Sequence, residues 1–232
     1  MARVIVVGSI NQDVTVTVDR FPAPGETLSG SSLTYGLGGK GANQAAAAAR
    51  SGIPTLFVGA VGTDLAGHSL RTHLAAHGVD VTHLRKVDSP SGTALITVAA
   101  SGENTIILDA GANRASSIDH AKASLFPAPS DIVVLQAEIP PAANAAAIEW
   151  AHSFGARVLL NLAPARATDP ATLSRVDILV VNETEAGLTL GMPAPATPTE
   201  AIGVARALRG MGPRHVVVTL GAQGAAWASG AE

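Results

Sequence analysis

Residues 36–52 read "GLGGKGANQAAAAARSG". A glycine-rich loop runs into an alanine-rich stretch that favours helix. Two phosphate-binding loops use similar letters. Gly36-x-Gly38-x-x-Gly41 has the spacing of a dinucleotide-binding turn, which must follow a first strand and open a first helix. Here the first β-branched run, "RVIVVG" (3–8), leads into "GSINQD" instead, and the glycines come well downstream. Asp64 stands at a ribose-binding distance but lies in "GTDLAG", which reads as a turn. Gly39-Lys40 has the look of a Walker loop, yet Gly41 stands where that loop needs Ser or Thr for magnesium.

The polar content of the stretch points elsewhere. Lys40 and Asn43 fall in the first helical turn, where backbone N–H groups lack intrahelical partners. Gly38, Gly39 and Gly41 let a ligand come close to the backbone. A polyol suits such a place, because its hydroxyls accept from N–H groups and from the Asn amide. A glycine turn that only packs the helix on a sheet reads equally well from these residues alone.

Working outward, "RVIVVG" (3–8), "TLFVGAV" (55–61), "DIVVLQ" (131–136), "ARVLLN" (156–161), "DILVV" (177–181) and "HVVVTLG" (215–221) are near-continuous apolar runs. Parallel strands covered on both faces have that pattern. Helical stretches at 40–50, 65–77, 141–154 and 199–210 alternate with them. The fold class is therefore α/β: a doubly wound, mostly parallel sheet with helices on both faces. Two regions break the rhythm. "VTVTV" (14–18) alternates, and "GTALITVAASGENTIILDAG" (92–111) reads as a hairpin of antiparallel style. They predict a small projecting β-sheet, a lid built from about 12–36 and 91–110, on a single domain covering 1–232. Val14, Val16, Val18, Leu95, Ile96, Ile106 and Leu108 are expected to form one apolar face of it, which a homodimer would cover.

Hydrophobic residues make up 47% of the 232 and charged residues 14%, enough to bury a large core. The net charge of −3 gives no basic footprint for nucleic acid. Without cysteine there is neither disulfide nor thiolate metal site, and the seven histidines show no metal-ligand spacing. The short apolar run at the N-terminus suits neither a signal peptide nor a membrane span, so a soluble cytoplasmic protein is expected.

With these residues in view, "GGKGANQAAAAARSG" resembles the first signature of the PfkB carbohydrate kinases, in their ribokinase branch. "GSINQD" (8–13), "FPAPGET" (21–27), "VGTDLAGHSL" (61–70), "SGTALITV" (91–98), "AGAN" (110–113), "LQAEIP" (135–140), "NLAPAR" (161–166), "VNETEA" (181–186) and "VTLGAQG" (218–224) extend the resemblance in order along almost the whole chain. The resemblance implies a ribokinase-like fold and transfer of the ATP γ-phosphoryl to a sugar hydroxyl, O5 of D-ribose in the ribokinase branch. It implies that Asn11 and Asp13 bond sugar hydroxyls, that Gly39, Lys40, Gly41 and Asn43 cradle the sugar, and that Glu138 contacts it from the sheet edge. Asn182 would serve the ATP phosphates and Glu185 the water shell of Mg2+. Thr219, Leu220, Gly221, Ala222, Gln223 and Gly224 would line the nucleotide. Each has a plainer reading: Asn11 and Asp13 as a capped turn, Asn182 and Glu185 as a helix start, 219–224 as a strand-to-strand turn.

The family's second signature, of the D-T-x-G-A-G-D type, does not occur in the 232 residues. Its last Asp is the family's base and its glycines open an anion-holding helix. The resemblance places that base beyond Glu232, and the monovalent-cation (K+) site outside these residues too. The expectation is that no catalytic residue lies within 1–232 and that this stretch alone is inactive. A non-catalytic sugar-binding or interaction fragment is the rival reading. Fructose, ketodeoxygluconate or a nucleoside are rival substrates.

Overall fold

The computed structural model describes residues 2–166 and 168–230; the statements below concern these residues. The chain begins with β1 (Val4–Val7), β2 (Asn11–Val18) and β3 (Ser32–Gly38), then α1 (Lys40–Arg50), β4 (Thr55–Gly62) and α2 (Leu65–Ala76). Short strands β5 (Val79–Asp80) and β6 (Leu84–Val87) precede the hairpin β7 (Gly92–Ala99) and β8 (Asn104–Asp109), and a 3-10 turn follows at Gly111–Ala115. The second half runs β9 (Ile132–Gln136), α3 (Pro141–Ser153), β10 (Arg157–Asn161), α4 (Pro170–Leu173), β11 (Ile178–Asn182), α5 (Glu183–Leu190), α6 (Pro198–Arg209), β12 (His215–Thr219) and β13 (Ala225–Ser229).

The large sheet has the order β13-β12-β11-β10-β9-β1-β4-β5, with β6 beside β4; only the β12–β13 pair is antiparallel. Alternation along β1 explains the layers. Ile5 and Val7 point into a cluster with Ala147 and Trp150 of α3 and Val204 and Leu208 of α6. Val6 points the other way, to Ala42, Ala45 and Ala46 of α1 and Leu70 and Leu74 of α2. Small residues on α1 let that helix lie close on the strands. Beyond α1 this second face is more open, and Ile132, Leu159 and Val180 are only partly buried. Asp64 is no plain turn residue: it caps α2, accepting from Gly67 N at 2.8 Å. No helix among the described residues is long and apolar enough to cross a membrane.

The small sheet has the order β3-β2-β7-β8. β2–β3 and β7–β8 are antiparallel, but β2 and β7 run parallel, unlike the antiparallel style expected. The register also corrects the expected apolar face. Val14 is paired with Tyr35 and Leu95, and Leu95 with Ile107, so these share a face with Val16 and Leu33. Ile96, Ile106 and Leu108 fall on the opposite face, with Asp13 and Thr15. A strand has period two, and the sequence alone did not supply the pairing that assigns each residue its side.

Candidate active site

The site is built where β1 and β9 end side by side. Chain crossovers leave the sheet in opposite directions from this pair of strands, and open α/β sheets bind ligands at that place. β1 runs into Ser9, Ile10 and Asn11, and β9 into Glu138. The start of α1 closes over both.

The glycines serve the chain's own packing. A Cβ on Gly39, which has φ 88°, would lie 2.9 Å from Ile10 Cα, and one on Gly41 2.7 Å from the backbone of Ser9. A Cβ on Gly38 would strike the Asp13 carboxylate at 1.9 Å. On the side where a Cβ would stand, backbone and carboxylate of the chain itself come close to these glycines. The first-turn N–H groups are also committed. Lys40 N donates to Glu138 Oε2 at 2.9 Å, Gly41 N to Ser9 Oγ at 3.2 Å, and Ala42 N to Ser9 O at 2.9 Å. Ser9 Oγ donates to Glu138 Oε2 at 2.6 Å. What faces outward from the loop is side chain: half-buried Lys40 and exposed Asn43.

Asn11 and Asp13, two apart on β2, share a face of the small sheet. No hydrogen bond within the described chain engages the Asp13 carboxylate. Burial pushes its pKa above the ordinary carboxylate value, and the negative charge of Glu138 pushes it the same way. An unpartnered half-buried carboxylate beside another is poised for a hydroxyl-rich ligand.

A second group lies further along the same edge. Asn182 ends β11 and starts α5 with a capping box: its Oδ1 accepts from Glu185 N at 2.8 Å, and Glu185 Oε2 accepts from Asn182 N at 2.9 Å. Asn182 is paired with Thr219 across β11 and β12. Gly221, Ala222 and Gln223 form a 3-10 turn between β12 and β13, with φ 54° at Gly221 and 92° at Gly224; Leu220 is buried and the remainder of the turn is exposed. A cavity of about 610 Å3 lies over the open sheet face, on Ile132, Val134, Leu159 and Val180, and reaches from Lys40 of the first group to the second group. Lys40 and Gln44 line one wall, Asn161 lies between, and Asn182, Glu185 and Thr219 line the other.

Glu232, beyond which the family's base is expected, lies outside the described residues. Among the described residues none is assigned as the catalytic base. Several participants escaped the sequence reading as site residues. Ser9 and Asn113 lay inside quoted segments but carried no stated role. Gln44 Nε2 donates to Asn161 Oδ1 at 3.0 Å, and Gln136 Nε2 donates to Gln44 Oε1 at 2.7 Å, tying α1 to β9 and β10 between the groups. A polar residue closing an otherwise apolar strand was the available signal for Gln136.

The chain matches the pfkB family of carbohydrate kinases over residues 1–232. It belongs to that family. Among its relatives, a ribokinase of Haemophilus influenzae is 39% identical over 223 residues, covering 94% of this chain and 72% of the relative. A deoxyribokinase of Salmonella typhi is 36% identical over 229 residues, covering 97% and 74%. Among solved structures, Arabidopsis thaliana ribokinase complexed with ribose and ATP superposes with a TM-score of 0.88 at 33% identity, covering 100% of this chain and 76% of that one. The pfkB member described here is thus a ribokinase-like carbohydrate kinase, an enzyme that transfers a phosphoryl group to a sugar. The described residues bring Asn11, Asp13, Gly39, Lys40, Gly41, Asn43 and Glu138 together at one end of the edge, and Asn182, Glu185 and 219–224 at the other.

Proposed function

We propose that this kinase transfers the γ-phosphoryl of ATP to O5 of D-ribose. The observation that carries the reading is the cavity that runs from Lys40, itself a member of the first group, to Asn182, Glu185 and Thr219 of the second. Asn11, Asp13, Asn43 and Glu138 take the sugar. Asp13 and the free Glu138 Oε1 accept from its hydroxyls, while Asn11 and Asn43 donate. Asn182 and the 219–224 turn take the nucleotide. Lys40 lines the cavity at its sugar end, where its ammonium meets charge developing on the transferred group. The kinship to a protein solved with ribose and ATP supports both ligands.

Mg2+ fits this donor set in one way. No cluster of three His, Asp or Glu residues that could cage a metal exists among the described residues. Mg2+ keeps its waters and accepts one carboxylate plus phosphates, so Glu185, through the oxygen its capping box leaves unused, would hold that water shell. When bound, the ion neutralises charge on the phosphates. Asp13 and Glu138 are given binding roles, and neither is proposed as the base. Nor is any of these residues assigned to K+.

The small sheet serves as the lid, with Asp13 on its inner face. Its outer face pairs two copies of the chain as a homodimer, since Leu33, Tyr35, Leu95 and Ile107 are all more than half exposed there. The reaction belongs to the cytoplasm, where ATP is supplied.

Isothermal calorimetry with ribose, 2-deoxyribose, fructose and ATP is the test. Ribose binding tighter than 2-deoxyribose and fructose is expected, together with binding of ATP. Preference for 2-deoxyribose would move the substrate to that of the Salmonella relative, and binding of no sugar would sink the kinase site as drawn.

A further inference from the structure

Asn113 stands outside every role given so far. It lies in the 3-10 turn that follows β8, far in sequence from β1, and is 1% exposed. Its amide grips the turn between β1 and β2 at three points. Asn113 Oδ1 accepts from Ile10 N at 2.9 Å. Asn113 Nδ2 donates to Ile10 O at 3.2 Å and to Asn11 Oδ1 at 2.7 Å. Gly92, at the start of β7, roofs the pair: a Cβ there would lie 2.2 Å from Asn113 Nδ2 and 2.3 Å from Asn11 Oδ1.

These contacts remove the usual ambiguity of amide orientation. The backbone N–H of Ile10 can only donate, so the atom facing it must be Asn113 Oδ1. The backbone C=O of Ile10 can only accept, so the atom facing it must be Asn113 Nδ2. That same NH2 then requires an acceptor on Asn11, which fixes Asn11 Oδ1 inward. The Asn11 NH2 is thereby left on the side away from Asn113, and no hydrogen bond within the described chain engages it.

We propose that Asn113 is a positioning residue that holds the Asn11 side chain with its NH2 toward the sugar. The inference rests on the ribose-binding reading above. Its chemical consequence is complementarity within the site. Asp13, two residues on, offers only acceptor oxygens when ionised, and Asn11 is held as a donor. A sugar hydroxyl has one hydrogen to give and lone pairs to receive, so a donor beside an acceptor satisfies hydroxyls that two acceptors would not. A freely rotating Asn11 would present the wrong group part of the time.

Asn113→Asp tests this with little change of shape. One carboxylate oxygen still accepts from Ile10 N. The other replaces the NH2 and repels both Ile10 O and Asn11 Oδ1, so the Asn11 amide turns over and shows its carbonyl to the sugar. Calorimetry on the full chain is expected to give ribose affinity weakened about 10-fold or more, the scale of a misplaced buried hydrogen bond, with ATP affinity unchanged. In an Asn11→Ala background the same substitution is expected to add no further loss of ribose affinity. Equal losses for ribose and ATP, or losses that multiply in the double variant, would show a merely structural Asn113 and overturn the inference. A second measurement needs no variant. Side-chain amide NMR of the wild type is expected to show the Asn11 NH2 signals moving on ribose addition while those of Asn113 stay. Shifts of Asn113 with Asn11 still would overturn it. Wild-type protein that binds ribose while Asn113→Asp binds it equally well overturns this inference alone. Wild-type protein that binds no ribose overturns the substrate reading and the inference with it.

Discussion

The Glu138 carboxylate and the backbone N–H of Lys40 meet at 2.9 Å across the mouth of the sheet. One oxygen, Oε2, takes both this bond and that of Ser9 Oγ. Glu138 therefore fastens the glycine loop to β9 with one oxygen and keeps the other for a ligand. The two duties separate by substitution. Glu138→Gln retains an acceptor for the loop and loses the charge. Glu138→Ala strands a Lys40 N–H, which costs about 1–3 kcal/mol when buried. The Ala variant is expected to melt lower and bind ribose worse. The Gln variant is expected to melt near the wild type and still bind ribose worse. Equal melting losses in both would remove the distinction.

Asn182 and Glu185 carry a capping box whichever ligand binds nearby. Asn182→Ala is expected to cost about 1 kcal/mol of stability, the ordinary worth of such a cap. Glu185→Gln keeps an oxygen for Asn182 N and removes the charge offered to Mg2+. It is expected to leave the melting temperature nearly unchanged and to raise the Mg2+ concentration at which MgATP binding saturates. A magnesium titration followed by nucleotide fluorescence reads this. An unchanged saturation point would leave Glu185 as a helix cap only.

The α/β rhythm was legible because six apolar runs are long and each is followed by turn chemistry. The family resemblance placed Glu138 at the sheet edge, the capping reading placed Asn182 at a helix start, and the structure puts both just past or at the C-terminal ends of parallel strands. The glycine loop was legible as a candidate site but not in its workings. Its N–H groups read as free because a sequence does not reveal that Ser9 and Glu138 return from distant strands to occupy them. β3 was hidden by its own glycines, which depress strand propensity while Gly38 makes room for Asp13. The sidedness of the small sheet needed a register, and adjacent letters such as Ile106 and Ile107 look alike while pointing apart.

That register directs the dimer test. Leu95 and Ile107, 52% and 71% exposed, are paired neighbours on the outer face. Burying them between two copies removes an apolar patch from water. Light scattering at micromolar protein is expected to give a dimer, and Leu95→Lys with Ile107→Lys a monomer. Lysine at Ile106 lies on the other face and is expected to leave the dimer intact. If lysine at Ile106 alone splits the dimer, the outer face is not the interface.

Asp13 offers a prediction in which stability and binding move in opposite directions. Burial, and then the charge of Glu138, raise its pKa in the folded chain. The unfolded chain has the ordinary value of 3.8. Between those two values the folded state holds the extra proton, so stability falls as the pH rises through this window. Above it, the ionised Asp13 is a standing cost to the fold. Asp13→Asn removes that cost and keeps the shape. The variant is therefore expected to melt higher than the wild type at neutral pH, with the difference shrinking as the pH falls towards 3.8. Ribose affinity is expected to go the other way. The amide gives up a charged acceptor, and charge-assisted bonds of this kind are worth about 1.5–3 kcal/mol, or roughly 10- to 150-fold. Wild-type ribose binding is likewise expected to weaken on acidification before an ordinary carboxylate would titrate, while ATP binding follows its own profile. Thermal melts from pH 4 to 8, read beside calorimetry at each pH, decide the matter. A variant that melts lower at neutral pH would mean that Asp13 is held by partners within the fold, and its place as the open acceptor for the sugar would have to be given up.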